Sequence, residues 1–448
     1  RRAASLRNRL YFAMKSSLFQ TILLSVFGFS ALIGLFVFAT YTSKSGSNAV
    51  GTVVIWGTLP KEGIQNMLTA SVQIDDALKN VVYIQKDSTT LSADIATAIA
   101  TGVSPDLILA SQEELHMLTK FITPIPYSTF STKAFSSTFL REGEIFTAPG
   151  GAGYYGIPFL VDPLVLFSNR SILSSNGIAA PPATWEALIG LVPNIAVLTP
   201  SRQITRGLIA LGAYDNVHAA RGILSTLFLQ QNIPLSSYSS SGALSANFGE
   251  ETSKNSSSGS AVLGFYTQFA DPSKVSYTWN TSLRDSEQMF LAGDLALHLG
   301  YASRARFLST ANPNLDFVVT SAPQSATAKK KSVYGLVYAF MIPRGTANAA
   351  GAYQAAVLLT NPGEQAAAAS ATGLAPATIS ELAKVSSTDP VAAVAYTEAL
   401  YSEGWISPPP ADVDRIFSSM IGNVISGHST LDTALTDAKR SLSAVLQQ

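Results

Sequence analysis

Residues suited to catalysis are scattered in this chain. Four histidines, His116, His218, His298 and His428, stand far apart, and none sits in a metal-ligand spacing. There is no cysteine, which excludes disulfides, thiolate zinc sites, iron–sulfur clusters and a catalytic thiol. No Gly-x-Ser-x-Gly elbow or phosphate loop occurs. The clustered glycines Gly150, Gly151 and Gly153 precede a strand, not the helix that a dinucleotide fingerprint requires. No catalytic residue, metal ligand or cofactor is therefore expected. Aromatic and small polar residues at the ends of expected strands remain, and they suit non-covalent capture of a small molecule. Trp56 ends one such strand with Thr58 just beyond it, and Ser111 follows another.

The elements that must position them alternate. Residues 52–56 (TVVIW), 81–85 (VVYIQ) and 106–110 (DLILA) read as strands, and 63–78 and 92–101 as the helices between them. Gly102 and then Pro105 end the second helix. Strand–helix alternation implies parallel pairing in an α/β layer architecture, where ligands collect beyond the carboxyl ends of the strands. That places Trp56-Gly57-Thr58 and Ser111-Gln112 at a candidate cleft. Trp56 serves either as an aromatic stacking platform for a ligand or as core packing at a strand end. A second α/β region follows. Residues 164–168, 195–199, 296–299, 317–320 and 334–342 read as strands, and 185–191, 206–213 and 219–231 as helices. The Ser/Gly-rich stretch 236–260 reads as surface loops, and the last third is rich in helices.

The chain has 448 residues, 47% hydrophobic and 13% charged, with 29 Lys+Arg against 29 Asp+Glu. This length suits two or three domains, or one two-lobed unit. The absence of a basic footprint argues against a nucleic-acid partner, and the apolar content argues against disorder. The neutrality is uneven. Residues 1–44 hold six basic residues and no acid, so the remaining 23 basic and 29 acidic residues carry −6. No charge lies between Lys15 and Lys44, and 22–39 is almost wholly apolar. About 20 such residues, at about 1.5 Å each, span a hydrocarbon core of roughly 30 Å. The basic flank should stay in the cytoplasm. Residues 1–43 thus read as a basic flank and uncleaved transmembrane anchor, with a linker at 44–50. The alternative is a cleaved signal peptide, whose apolar region is usually shorter. Both readings put residues 50–448 outside the cytoplasm.

A set of phrases then appears in order: 154–160 (YYGIPFL), 166–170 (LFSNR) and 177–188 (GIAAPPATWEAL), flanked by 105–108 (PDLI), 289–299 (MFLAGDLALHL), 333–343 (VYGLVYAFMIP), 373–377 (GLAPA) and 427–438 (GHSTLDTALTDA). Together they resemble the extracellular solute-binding proteins of family 1, the maltose-type sugar-binding proteins of bacterial ABC importers, over roughly residues 50–448. Arg170 stands where the family carries lysine, and Gly300-Tyr301-Ala302-Ser303 where it carries Gly-x-Trp. The apolar span takes the place of the family's lipidated cysteine.

The resemblance implies an α/β, periplasmic-binding-protein-like fold of type II topology, two α/β lobes with a hinge, preceded by one transmembrane helix. Lobe one would comprise 51–160 plus 322–360, and lobe two 163–320 plus 361–448. A small solute, foremost a carbohydrate, would be captured between them by hinge closure, without catalysis or cofactor. The implied partners are that ligand, ABC permease subunits and the membrane, with a monomeric binding domain. Tyr301 would stack on the sugar where the family often has tryptophan. Asp162, in the first crossover, would bond ligand hydroxyls or cap the next element. Thr58 and Ser111 would offer small polar groups. Trp405, just before Pro408–Pro410, would cover the cleft or fix its loop. Arg304 would pair an anionic ligand or serve as a solvated or structural charge. Two other readings stay open: a ligand sensor without transport, and an extracytoplasmic carbohydrate-active enzyme with paired carboxylates in a cleft.

Overall fold

The computed structural model describes residues 50–239, 242–248, 259–328, 330–384 and 388–447. The expected anchor at 1–43 and the linker up to residue 49 lie outside the described residues. Among those described, no helix is long and apolar enough to cross a membrane.

The first region forms as the periodicities require. Strand β1 (Val53–Gly57) buries every second residue, leaving Val54 and Trp56 half-exposed. Helix α1 (Lys61–Ile74) buries Ile64, Met67, Leu68 and Ser71, one stripe at helical spacing. Edge strand β2 (Val81–Gln85) and helix α2 (Leu91–Ala100) follow. Strand β3 (Leu107–Ser111) is wholly buried, as a central parallel strand must be. Helix α3 (Gln112–Leu118) begins at once, because Ser111 caps it with a reciprocal capping box to Glu114.

Strand β4 (Gly156–Asn169) holds the molecule together. All fourteen of its residues are buried. The remaining elements include α4 (Trp185–Ile195), β5 (Val197–Leu198), β6 (Ile204–Ile209), α5 (Ala220–Gln230), β7 (Ser236–Tyr238), β8 (Leu244–Ala246), α6 (Ser286–Ala292), β9 (Leu295–Tyr301), β10 (Phe317–Ser321), β11 (Val333–Met341), α7 (Pro362–Thr372), α8 (Pro390–Ala399), β12 (Ser402–Glu403), α9 (Pro410–Ile425) and α10 (Leu431–Leu446). The main sheet runs β2-β1-β3-β11-β4-β9-β6-β5. The first part of β4 pairs antiparallel with β11, with Pro163 opposite Gly335, and its last part pairs with β9 and β10. One strand thus belongs to two halves of a sheet whose parallel strands, β1 and β3 on one side and β6 and β9 on the other, all end toward the middle.

Three expectations need correction. Residues 206–213, read as a helix, contain none: 206–209 lie on strand β6 and 210–213 are irregular. A short apolar run does not reveal its own period, and tertiary packing decided it: Gly207 pairs with Leu295, and the Leu208 N–H donates to Thr278 Oγ1. Residues 195–199 supply only the two-residue strand β5, because α4 continues through Pro193 to Ile195. The stretch 236–260 holds the hairpin β7–β8 rather than loops alone. Elsewhere the local signals act as read. Thr184 caps α4 through a bond from the Ala187 N–H, and buried Trp185 donates its Nε1–H to Gln230 at 2.7 Å.

Candidate functional site

The capping box at Ser111 aims α3 across the middle of the sheet. Gln112 fixes that helix to β11: its Nε2 donates to Gly335 O at 2.9 Å, and its Oε1 accepts from Val337 N at 2.7 Å. Glu113 then meets Arg221, on the first turn of α5 from the other half. Arg221 Nε and Nη2 donate to the two Glu113 oxygens at 2.9 and 2.8 Å, a bidentate pair. Tyr334 adds an O–H bond to Glu113 at 2.6 Å. Arg221 Nη1 also donates to Asp414 on α9 at 2.9 Å and to Pro410 O at 3.2 Å. Tyr214 donates to the other Asp414 oxygen at 2.6 Å.

A groove of about 480 Å³ lies against this network, lined by Tyr214, Asp215, His218, Arg221, Tyr301 and Asp414 among others. Tyr301 reaches it from the end of β9. A Cβ on Gly222 would come within 2.8 Å of the Tyr301 hydroxyl, so the glycine lets α5 pass under the ring. Behind His218, Glu287 receives both arms of Arg304 at 2.9 and 2.6 Å. Arg304 is therefore a paired, structural charge. His298 is buried between aromatic rings, and burial, followed by neighbouring His218 and Arg304, lowers its pKa to about 3. Among the described residues no group of His, Cys, Asp and Glu could hold a metal ion.

Buried carboxyls give the molecule a pH signature. Burial raises Glu114 to about 7 and Glu142 to about 8. Burial also raises Asp162 to about 6, against two bonds from Ser303. A carboxyl whose folded pKa is raised keeps its proton in the folded state after the unfolded chain has lost it, so stability falls as pH rises through that window. His298 acts oppositely, but only below its unfolded value near 6.5. From about pH 6.5 to 8.5 the carboxyls act alone, and the expected loss is about 2 kcal/mol. Thermal melts across that range check this. Glu142→Gln should flatten the slope, and a slope that rises instead would refute the assignment.

The six residues singled out in the sequence do not converge on one pocket. Tyr301 lines the groove. Asp162 is buried at the middle of β4, accepting from Ser303 N at 3.0 Å and Ser303 Oγ at 2.6 Å. Ser111 is the cap that carries Glu113 into place. Trp56 lies half-buried with Lys86 Nζ 3.8 Å above its ring. Thr58, beside it, donates its N–H to Leu109 O at 3.1 Å. Trp405 is buried, donates Nε1–H to Ser225 Oγ at 3.1 Å, and lines a different cavity at the far end of α5.

Sequence reasoning passed over Glu113, Arg221, Tyr214 and Asp414. A faint signal existed for Arg221: it is the one charge on an otherwise uncharged, largely buried helix, and such a charge needs a partner. Nothing local names that partner.

The sequence profile of a bacterial extracellular solute-binding protein family matches residues 79–395. No curated protein matches the chain. Solved structures share its fold. A cyclo/maltodextrin-binding protein complexed with maltotetraose superposes with TM-score 0.70 at 14% identity, covering 90% of this chain and 99% of that one. The cyclic α-maltosyl-1,6-maltose binding protein of Arthrobacter globiformis gives 0.70 at 14%, covering 88% and 99%. The Thermus thermophilus maltotriose binding protein bound with maltotriose gives 0.62 at 16%, again covering 88% and 99%.

Proposed function

Because this chain belongs to the bacterial extracellular solute-binding proteins, we propose that it captures a small neutral carbohydrate between two lobes and presents it to an ABC permease, without chemical turnover. The observation that carries this reading is the groove beside Tyr301 and Tyr214. It offers aromatic faces, carboxylates and a charged pair that ties it to the opposite half of the sheet. Aromatic rings pack against the apolar faces of a sugar, and carboxylates accept its hydroxyls. The likeness to proteins complexed with maltotetraose and maltotriose supports the sugar class.

The lobes of the proposal are 51–160 plus 322–360 and 163–320 plus 361–448, hinged where β4 and its neighbours cross. Helix α7 is an exception that stays with the first lobe, since buried Ser71 on α1 bonds to Glu364. Tyr301 and, from the other lobe, Trp56 and Thr58 would close on the ligand, with Asp162 and Ser111 shaping the floor and Trp405 bracing α5. Residues 1–43 would anchor the domain to the outer face of the membrane, with 44–50 as tether.

A thermal-shift series on the purified chain tests the reading. Maltotriose or another neutral sugar at 100 times its Kd should stabilise the fold by about 2.7 kcal/mol. Flat melts for every neutral sugar, or release of cleaved sugar, would overturn it.

A further inference from the structure

A cavity of about 510 Å³ opens at the other end of α5. Leu229 lines it and Arg221 does not. These residues stand eight positions apart on one helix, about 12 Å along its axis. The cavity is therefore distinct from the groove beside Tyr301. One wall is the segment 141–145, the other the strand β7 with Leu244, and the floor is 400–406.

Its lining is amphipathic. Leu229, Leu235 and Leu244 are buried and apolar, whereas Tyr238 and Tyr401 keep 38% and 39% of their surface exposed. Charge is answered locally. Lys330 pairs with Glu403 at 2.5 Å, and Lys331 pairs with Glu398 while sitting 4.5 Å above the Tyr401 ring. Arg141 and Glu144, of opposite sign, face solvent at the rim. Glu142 accepts the Gly404 N–H with Oε1, and among the described residues nothing bonds its Oε2. Burial holds this carboxyl protonated at neutral pH, so Oε2 can serve as a donor. Ser236 and Ser237 add hydroxyls. The volume falls within the range of small-molecule sites, about 300–1,000 Å³.

We propose that this cavity is a second binding site, for a neutral polyhydroxylated ring of mono- or disaccharide size, seated on Tyr238 and Tyr401. Both lysines are paired, and the exposed Arg141 and Glu144 at the rim offset one another, so the lining has no excess of one sign to attract an ion. The mix of tyrosine faces, hydroxyls and a carboxyl group suits a ring with apolar faces and polar edges. The two walls belong to segments that the proposed function assigns to different lobes. An occupant that touches both favours the conformation in which the cavity has this shape. Occupancy then alters affinity in the groove, and the groove alters affinity here by the same factor. This coupling rests on the two-lobe reading; the site itself does not.

Saturation-transfer NMR on the purified chain with glucose, maltose, xylose and myo-inositol tests the site. Wild type is compared with Tyr301→Ala in the groove and with the double variant Tyr238→Ala/Tyr401→Ala, whose exposed side chains can be removed without opening the core. At least one probe should keep its signal in Tyr301→Ala and bind tenfold or more weakly in the double variant. The proposal falls if no probe gives a signal, if every signal disappears with Tyr301→Ala, or if the double variant binds as wild type does. Signals in Tyr301→Ala that equal those of wild type, together with their loss in the double variant, would count against the proposed function and support the second site.

Discussion

Glu113→Gln lowers the unfolding free energy of the ligand-free chain by about 2–3 kcal/mol and shifts it toward a more extended form. Glu113 and Arg221 are well shielded, with side-chain exposures of 6% and 19%. Breaking a buried pair by removing one charge typically costs about 3–5 kcal/mol, because the other charge is left uncompensated. Here the cost is smaller, since Arg221 keeps Asp414 and the Pro410 carbonyl, and the new amide still accepts one bond. The pair also spans the two halves of the sheet, so its loss removes a direct tie between them. Urea unfolding should show a lower midpoint, with a slope no steeper than that of wild type. Small-angle scattering should show a larger radius of gyration. An unchanged midpoint together with unchanged scattering would show that the bridge contributes nothing.

If the proposed function holds, Tyr301→Ala weakens binding of the neutral sugar ligand about 30-fold, which corresponds to about 2 kcal/mol. Stacking contributes roughly 0.5–1.5 kcal/mol beyond burial, and the apolar area lost from the contact supplies the rest. Fold stability should change little, because the ring is only partly buried and stands over Gly222 rather than within the core. Tyr301→Phe keeps the face and should remain within about threefold of wild type. Calorimetric titration of the three proteins separates the cases. Equal affinities for the alanine variant and wild type would remove Tyr301 from the site, and a severe loss in Phe would assign the effect to the hydroxyl instead.

Much of the architecture was legible from local chemistry. The alternation of buried strands and amphipathic helices between 52 and 110, the Ser111 position at a strand end, and the Thr184-Trp185 start of α4 all depend on neighbours within a few residues. Where the local signal was a bare apolar run, as in 206–213, it failed. Helix and buried strand look alike there, and only pairing with β9 distinguishes them.

The site followed the same division. The sequence by itself determined which groups exist: no thiol, histidines scattered along the chain, small polar residues at the ends of β1 and β3, and Tyr301 at the end of β9. It could not determine which charges meet. Glu113 and Arg221 are 108 residues apart, and Arg221 and Asp414 are 193 apart. Their encounter depends on β4 carrying one half of the sheet beside the other, and on Gly222 letting α5 lie close beneath Tyr301. Coulombic and hydrogen-bond energies decay over a few ångströms, whereas sequence patterns report only neighbours along the chain. The tertiary structure alone therefore decided that this low-charge chain sets a shielded ion pair, Glu113 with Arg221, across the middle of the sheet.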